Sequence, residues 1–122
     1  MNQKKKKSKQ YDLEDWKFAF AKEVRAFVKD LKRSVSNSED SKQLIRSSRS
    51  VGANYIEAND SLGKKDFLMR IKISRKEAKE SRYFLRLLDT EDSDTREDER
   101  KKLVQESTEL MNIFGAILRN SQ

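Results

Sequence analysis

The sequence has no cysteine, no histidine and no proline, and only three glycines among its 122 residues. Without cysteine, the chain can form no disulfide, no thiol nucleophile and no thiolate metal site. Without histidine, it cannot build a Ser-His-Asp or Cys-His triad, the usual zinc sites, or the Glu-x-x-His pairs with which helix bundles hold two irons. We therefore expect a non-catalytic protein with no metal site and no other cofactor.

Long apolar runs are also missing. No stretch of the sequence approaches the ~18–20 consecutive apolar residues that a membrane-spanning helix needs. The basic start, MNQKKKKSKQ, is followed by the charged segment YDLEDWKFAFAKEV rather than by the apolar part of a signal peptide. The sequence therefore predicts a cytoplasmic protein with no membrane partner.

The scarcity of proline and glycine, with 34% hydrophobic and 40% charged residues, favours amphipathic helices over a sheet. Residues 1–10 are lysine-rich and offer no apolar anchor, so we expect a basic disordered tail there and one domain over residues 11–122. In that domain, apolar and small residues recur at alternating steps of three and four, which is typical of helix faces in a bundle. The four predicted faces are Leu13, Trp16, Phe20, Val24, Phe27, Leu31 and Val35; Leu44, Ser48, Val51, Tyr55, Ala58 and Leu62; Phe67, Ile71, Ser74, Ala78, Ser81, Leu85 and Leu88; and Leu103, Ser107, Leu110, Phe114 and Ile117.

Short connections between helices of similar length predict an all-α fold, an antiparallel up-down-up-down four-helix bundle. The predicted N-caps are Asp12, Ser38, and Ser93 or Asp94, because these side chains can accept hydrogen bonds from the first turn of a helix. Gly63 is the predicted stop signal after the second helix.

The third predicted helix carries cations on one side with only Tyr83 between them and no acid. Ordinary solvated faces mix charges so that pairs form one turn apart, and a row of one sign repels itself. Such a row, in a chain of net charge +7, predicts phosphate contacts with RNA or DNA, and the lysine tail could add an electrostatic arm. A plain solvated face, or a surface for an acidic partner protein, remains the alternative. The predicted nucleic-acid-binding residues are Lys64, Lys65, Lys72, Arg75, Lys76, Lys79, Arg82 and Arg86.

A second apolar face on the same helix cannot point into the same core. Its residues, which we expect to form an oligomer interface, are Met69, Ile73, Phe84 and Leu87. Since a four-helix chain has no further helix to cover them, the pattern favours a homo-oligomer over scattered surface residues. Glu77 and Glu80 lie within this second face, and they need cationic partners if an interface buries them.

A polar stripe on the second helix lies away from its apolar face and consists of Arg46, Ser50, Asn54 and Glu57. With Ala53 and Ala58, these residues occur in the order of a family motif, and Glu77 or Glu80 and Leu85 fit its positions on the third helix. Residues 46–88 thus resemble the bacterial four-helix-bundle family that contains the 23S rRNA intervening-sequence proteins and the accessory variability proteins of diversity-generating retroelements. Gly52 stands where relatives often have proline, and Asn59 where a glycine-rich turn often starts.

The resemblance implies a four-helix protomer that assembles into a homopentamer with basic surfaces. It implies RNA or DNA as partners and, in the retroelement branch, a reverse transcriptase. It also implies that Arg46, Ser50, Asn54, Glu57, Glu77 and Glu80 are structural or interface residues rather than catalytic ones. Three functions compete: a nucleic-acid-binding accessory protein, a scaffold for an acidic partner protein, and an enzyme with a carboxylate metal site at Glu57, Glu77 and Glu80, which ion pairing of these acids argues against.

Overall fold

The computed structural model describes residues 13–121 and confirms an all-α fold within them. The helices are α1 (Leu13–Lys29), α2 (Val35–Asn59), α3 (Lys64–Leu87) and α4 (Asp94–Asn120). The tail over residues 1–10 and the predicted cap Asp12 lie outside the described residues. None of the described helices is both long and apolar enough to cross a membrane.

Each helix packs against its neighbours in the order α1, α2, α3, α4 and back to α1. Contacts between α2 and α3 show that the two helices run in opposite directions. Ser47 Oγ lies 2.9 Å from Ser81 Oγ, and further along α2 Asn54 Oδ1 accepts a hydrogen bond from Arg70 Nη1 at 3.0 Å. The up-down-up-down arrangement is therefore confirmed.

The apolar faces predicted from the spacing meet in one core. Its fully buried members are Phe20, Val24, Leu44, Val51, Ile71, Ala78, Leu85, Leu110 and Phe114. Small buried hydroxyls let α2 and α3 approach closely, because Ser74 Oγ donates to the Val51 carbonyl at 3.0 Å without a bulky side chain between the helices.

Two residues predicted on these faces lie outside them. Val35 is 85% exposed because α1 ends at Lys29 and the chain turns at Leu31, so Val35 begins α2. Leu62 is fully exposed, since it follows the end of α2.

The predicted cap of α2 is also wrong. Ser34, not Ser38, caps the helix, and its Oγ accepts a hydrogen bond from the Asn37 amide at 3.1 Å. Gly63 acts as the N-cap of α3 rather than as a stop signal, whereas Ser93 caps α4 as predicted.

Asn37 joins the two turns at one end of the bundle. Its Nδ2 donates to the carbonyls of Lys32 and Asp89, each at 3.0 Å, and its Oδ1 accepts from the Asp89 amide at 2.9 Å. These bonds fix the α1–α2 turn to the chain that leaves α3.

Lys17 is buried inside the bundle, which the apolar spacing did not predict. Only 1% of it is exposed; its Nζ donates to the Leu13 carbonyl at 3.2 Å and lies 3.7 Å from the centroid of the Tyr55 ring and 4.9 Å from that of Phe114. Burial lowers the pKa of Lys17 to about 7, although the nearby carboxylate of Glu14 opposes the shift.

Candidate nucleic-acid interface

The predicted cations of α3 line the outside of the bundle. Arg82 is half-buried, and the exposed members are Lys64, Lys65, Lys72, Arg75, Lys76, Lys79 and Arg86. Because Lys64 and Arg86 are 22 residues apart and an α-helix rises 1.5 Å per residue, the row extends over roughly 33 Å. A surface of that length can contact several successive phosphates.

Three of these side chains have partners in the chain itself. Arg82 Nη1 donates to Thr108 Oγ1 at 3.3 Å, and the Arg75 guanidinium covers the buried backbone of Gly115, where its Nε would lie 3.6 Å from an added Cβ. Lys76 Nζ lies 4.0 Å from Glu80 Oε2, so an acid does reach the edge of the row. Arg75 and Arg82 therefore also help to pack α3 against α4.

The remaining cations form no ion pair with any of residues 13–121. Lys72, Lys79 and Arg86 follow one another at intervals of seven residues, two helical turns, and so share one side of α3. Since no acid among residues 13–121 forms an ion pair with these three charges, they form the part of the row best placed for an anionic partner.

A groove of about 440 Å³ between α3 and α4 widens this basic surface. Arg86 lines its α3 side, and Arg100, Lys101, Val104 and Gln105 line its α4 side. The exposed Lys101 was not predicted as a contact, although the adjacent cations of the segment RKK could have indicated it.

Arg100 has a structural role in this groove. Its guanidinium donates to the Leu88 carbonyl and to that of Leu85, at 3.4 Å, which satisfies the open C-terminal end of α3. Glu97 pairs with Arg100, and hydrogen bonds from Thr90 and Arg100 hold the pKa of Glu97 below its usual value. Arg86 and Lys101, by contrast, form no ion pair with any of residues 13–121.

Two motif residues of α2, Arg46 and Asn54, contact side chains of α3. Arg46 Nη1 lies 3.6 Å from Glu77 Oε1, and Arg46 Nη2 lies 3.2 Å from Glu80 Oε1. Glu77 is 7% exposed, so Arg46 supplies the countercharge that a buried carboxylate requires. Arg46 is half-exposed and links α2 to α3 at the surface through these two ion pairs.

The rest of the motif extends the same contact. Ser50 Oγ donates to the Arg46 carbonyl at 2.9 Å, and Asn54 Nδ2 donates to the Ser50 carbonyl at 2.9 Å. Asn54 in turn accepts the hydrogen bond from Arg70, a contact that the spacing within α2 does not predict. Glu57 is exposed and is not brought into this network.

No carboxylate metal site forms at Glu57, Glu77 and Glu80. The described part of the chain contains no group of three or more acidic residues that could hold a metal ion. Arg46 instead pairs with two of the three carboxylates.

The predicted oligomer face is only partly open. Met69 is 49% and Leu87 is 50% exposed. Phe84 packs against the core of its own bundle and meets the Tyr83 ring edge to face at 5.4 Å, and Ile73 is half-buried. Within this predicted face, Met69 and Leu87 are therefore the two exposed residues.

Glu106 lies on a different side of the bundle, between α1 and α4. Burial raises the pKa of Glu106, repulsion from Glu23 adds to the shift, and Lys102 and a hydrogen bond from Trp16 oppose it. This acid therefore does not offset the charge of the α3 row.

Comparisons with known proteins agree on one family. The family model described as "23S rRNA-intervening sequence protein" matches residues 9–116. The chain is also similar to a protein of unknown function from the S23 ribosomal protein family of Bacteroides thetaiotaomicron VPI-5482, whose crystal structure is known. The two share 32% sequence identity with a TM-score of 0.72 over 86% of this chain and 96% of that one. No curated protein matches the sequence.

Proposed function

Because the chain belongs to the 23S rRNA-intervening sequence protein family, we propose that it is a non-catalytic, RNA-associated protein that binds nucleic acid through α3. The observation that supports this proposal is the row of Lys72, Lys79 and Arg86, exposed and without an acidic partner among residues 13–121. Lys101 extends the row across the groove to α4. Lysine and arginine at such spacing neutralise phosphates and release their counterions.

The proposed binding depends little on base sequence. Helical lysines and arginines on a convex surface contact phosphates, which carry no sequence information. The exposed ring of Tyr83 lies on the same helix and could stack on an unpaired base. Single-stranded or looped RNA is therefore the proposed ligand class, and DNA is the comparison.

The functional unit in this proposal is a homo-oligomer, a pentamer by resemblance to characterised relatives. The half-exposed Met69 and Leu87 support this part of the proposal. If the protein belongs to the retroelement branch, a reverse transcriptase is its proposed partner.

The test reverses the charge of the central row. We expect the Lys72→Glu/Lys79→Glu/Arg86→Glu variant to bind a mixed-sequence RNA more weakly than the parent at every salt concentration. The slope of log K against log salt should flatten by about two to three units, since each phosphate contact contributes about 0.7 to 0.9. Fluorescence anisotropy across a salt series measures both quantities for RNA and for DNA of equal length.

A matched control carries the same charge change elsewhere. Lys29, Arg33 and Lys42 are exposed and lie on or between α1 and α2, so their replacement by Glu should leave the slope close to that of the parent. If the α3 variant binds RNA as tightly as the parent, the row is only a solvated surface. If it loses affinity because its oligomer mass falls, the row belongs to a subunit interface. Either result favours a scaffold for an acidic protein. The same conclusion would follow if the ultraviolet absorbance spectrum of the purified protein showed no bound RNA.

A further inference from the structure

A shallow groove of about 260 Å³ lies between α1 and α2, away from the α3 row. Its apolar lining comes from Phe18, Ala21, Ala53 and Ile56. Phe18 is 66% and Ile56 is 48% exposed, so two large apolar side chains of the same groove are exposed to solvent. Exposed apolar groups that share a concave surface are typical of protein contacts.

Gly52 lines the groove at a point where α1 and α2 lie close together. A Cβ at this position would lie 3.3 Å from the Cβ of Lys17, which is tighter than ordinary van der Waals contact. The missing side chain therefore lets α1 and α2 approach closely beneath the apolar lining.

Cations surround one end of the groove. Lys22, Arg25 and Arg49 line it, and none of them forms an ion pair with any of residues 13–121. Glu14 lines the other end and accepts a hydrogen bond from Asn59 at 3.3 Å. The groove thus combines an apolar lining with an uncompensated positive end.

We propose that this groove binds a short acidic amphipathic helix of a partner protein. The distance along α1 from Glu14 to Arg25 is roughly 16 Å at 1.5 Å per residue, which is three turns of a bound helix. Apolar side chains of the partner, spaced three and four residues apart, would cover Phe18 and Ile56. Its aspartates and glutamates would lie over Arg25 and Arg49, where they meet opposite charge.

Nucleic acid is the less suitable occupant of this groove. Phe18 supplies the single ring among its lining residues, and Ala21, Ala53 and Ile56 make up the rest of the apolar lining, so successive bases find no row of rings to stack on. The α3 row, by contrast, has exposed cations with little apolar surface among them. The groove between α1 and α2 and the groove between α3 and α4 lie on opposite sides of the bundle, so a peptide and a nucleic acid can bind at the same time.

The experiment uses the full chain and a designed probe. The probe is a fluorescent helical peptide of about 15 residues with leucines on one face and aspartates and glutamates beside them. The control peptide keeps the leucines and replaces each acid by lysine. We expect the acidic peptide to bind at least about ten-fold more tightly in fluorescence anisotropy, because like charges at the groove disfavour the control.

Variants of the groove locate the binding. Arg25→Glu/Arg49→Glu and Phe18→Ser should each weaken binding of the acidic peptide by about ten-fold or more, and the charge-reversed variant should bind the lysine peptide better than the parent does. These side chains are exposed, so circular dichroism should show an unchanged fold. The α3 triple variant should bind the peptide like the parent, which separates this inference from the proposed RNA binding.

Four results would overturn the inference: equal affinity for the two peptides, no effect of the groove variants, loss of RNA binding in these variants without loss of peptide binding, or a change in oligomer mass. The third result would assign the groove to nucleic acid. The fourth would assign it to contact between copies of this chain.

Discussion

The ammonium group of Lys17 is held between the rings of Tyr55 and Phe114 inside the bundle. The ring faces attract a cation, and the Leu13 carbonyl accepts its hydrogen bond. Among residues 13–121 no carboxylate forms an ion pair with this group, and Glu14 acts only at longer range. The free energy lost when the charged ammonium group leaves water therefore exceeds the free energy gained from these contacts, which is why the pKa of Lys17 falls to about 7.

Replacing Lys17 by Met should stabilise the protein in a pH-dependent way. Between pH 7 and 10.5 the unfolded chain keeps the proton on Lys17 and the folded chain releases it, so the free energy of unfolding of the parent rises with pH. Below pH 7 the full cost of burial is present, and Lys17→Met should be more stable by about 1–4 kcal/mol.

Urea unfolding of parent and variant from pH 7 to pH 10 measures the difference, which should shrink as pH rises. The exposed Lys22, replaced by Met, is the matched control and should change little. A stability difference that does not vary with pH would contradict the expectation and would mean that the aromatic rings keep Lys17 charged.

The contact of Arg46 with Glu77 and Glu80 could be predicted only in part from the sequence. Spacing alone placed Arg46, Ser50 and Asn54 on one side of a helix, and in the structure hydrogen bonds to the carbonyls of Arg46 and Ser50 connect them. Their partners on α3 depend on the distance and rotation between two helices, which periodicity within one helix does not contain. Arg70 was missed for that reason.

At the level of whole helices, the choice between Ser34 and Ser38 as the cap of α2 can be tested directly. Ser34 Oγ accepts a hydrogen bond from the first turn, whereas Ser38 lies within the helix and is exposed. We expect Ser34→Ala to lower the free energy of unfolding by about 1 kcal/mol and Ser38→Ala to leave it nearly unchanged. Chemical denaturation of both variants decides the question, and a larger loss in Ser38→Ala would place the start of α2 later than the structure does.

The helix boundaries were harder to predict than the helices. Leu31 is buried and Val35 follows it at a helical step of four, so the sequence pattern alone extends the first apolar face past the end of α1. The chain reverses there because the Ser34 cap and the Asn37 contacts with Lys32 and Asp89 stabilise a turn. Such contacts join residues far apart in sequence and leave no periodic signal.

Across the whole molecule, two charged surfaces differ in how well the sequence predicts them. The α3 row belongs to one helix, so its spacing is enough to find it. The groove between α1 and α2 needs Phe18, Arg25, Arg49 and Ile56 from two helices, and it becomes visible only when the pair is assembled. A basic charge balance indicates anionic partners in both cases, but only the apolar lining separates a protein ligand from a nucleic acid.

The state of assembly is the remaining property of the whole molecule that follows from exposed surface. Met69 and Leu87 are half-exposed on α3, and we expect them to be buried between subunits of a homo-oligomer. Met69→Asp/Leu87→Asp should dissociate the oligomer, because an unpaired carboxylate buried between subunits is costly, while each bundle stays folded. Phe84 is unsuitable for this test, since it packs against its own core. Light scattering should show a fall in mass to that of the 14.4 kDa chain, with the helical circular dichroism retained.

Leu62→Asp is the matched control, because Leu62 is fully exposed outside the helices and its replacement should leave the mass unchanged. A parent protein that already scatters as a single chain would refute the interface, and exposed Met69 and Leu87 would then be ordinary surface residues.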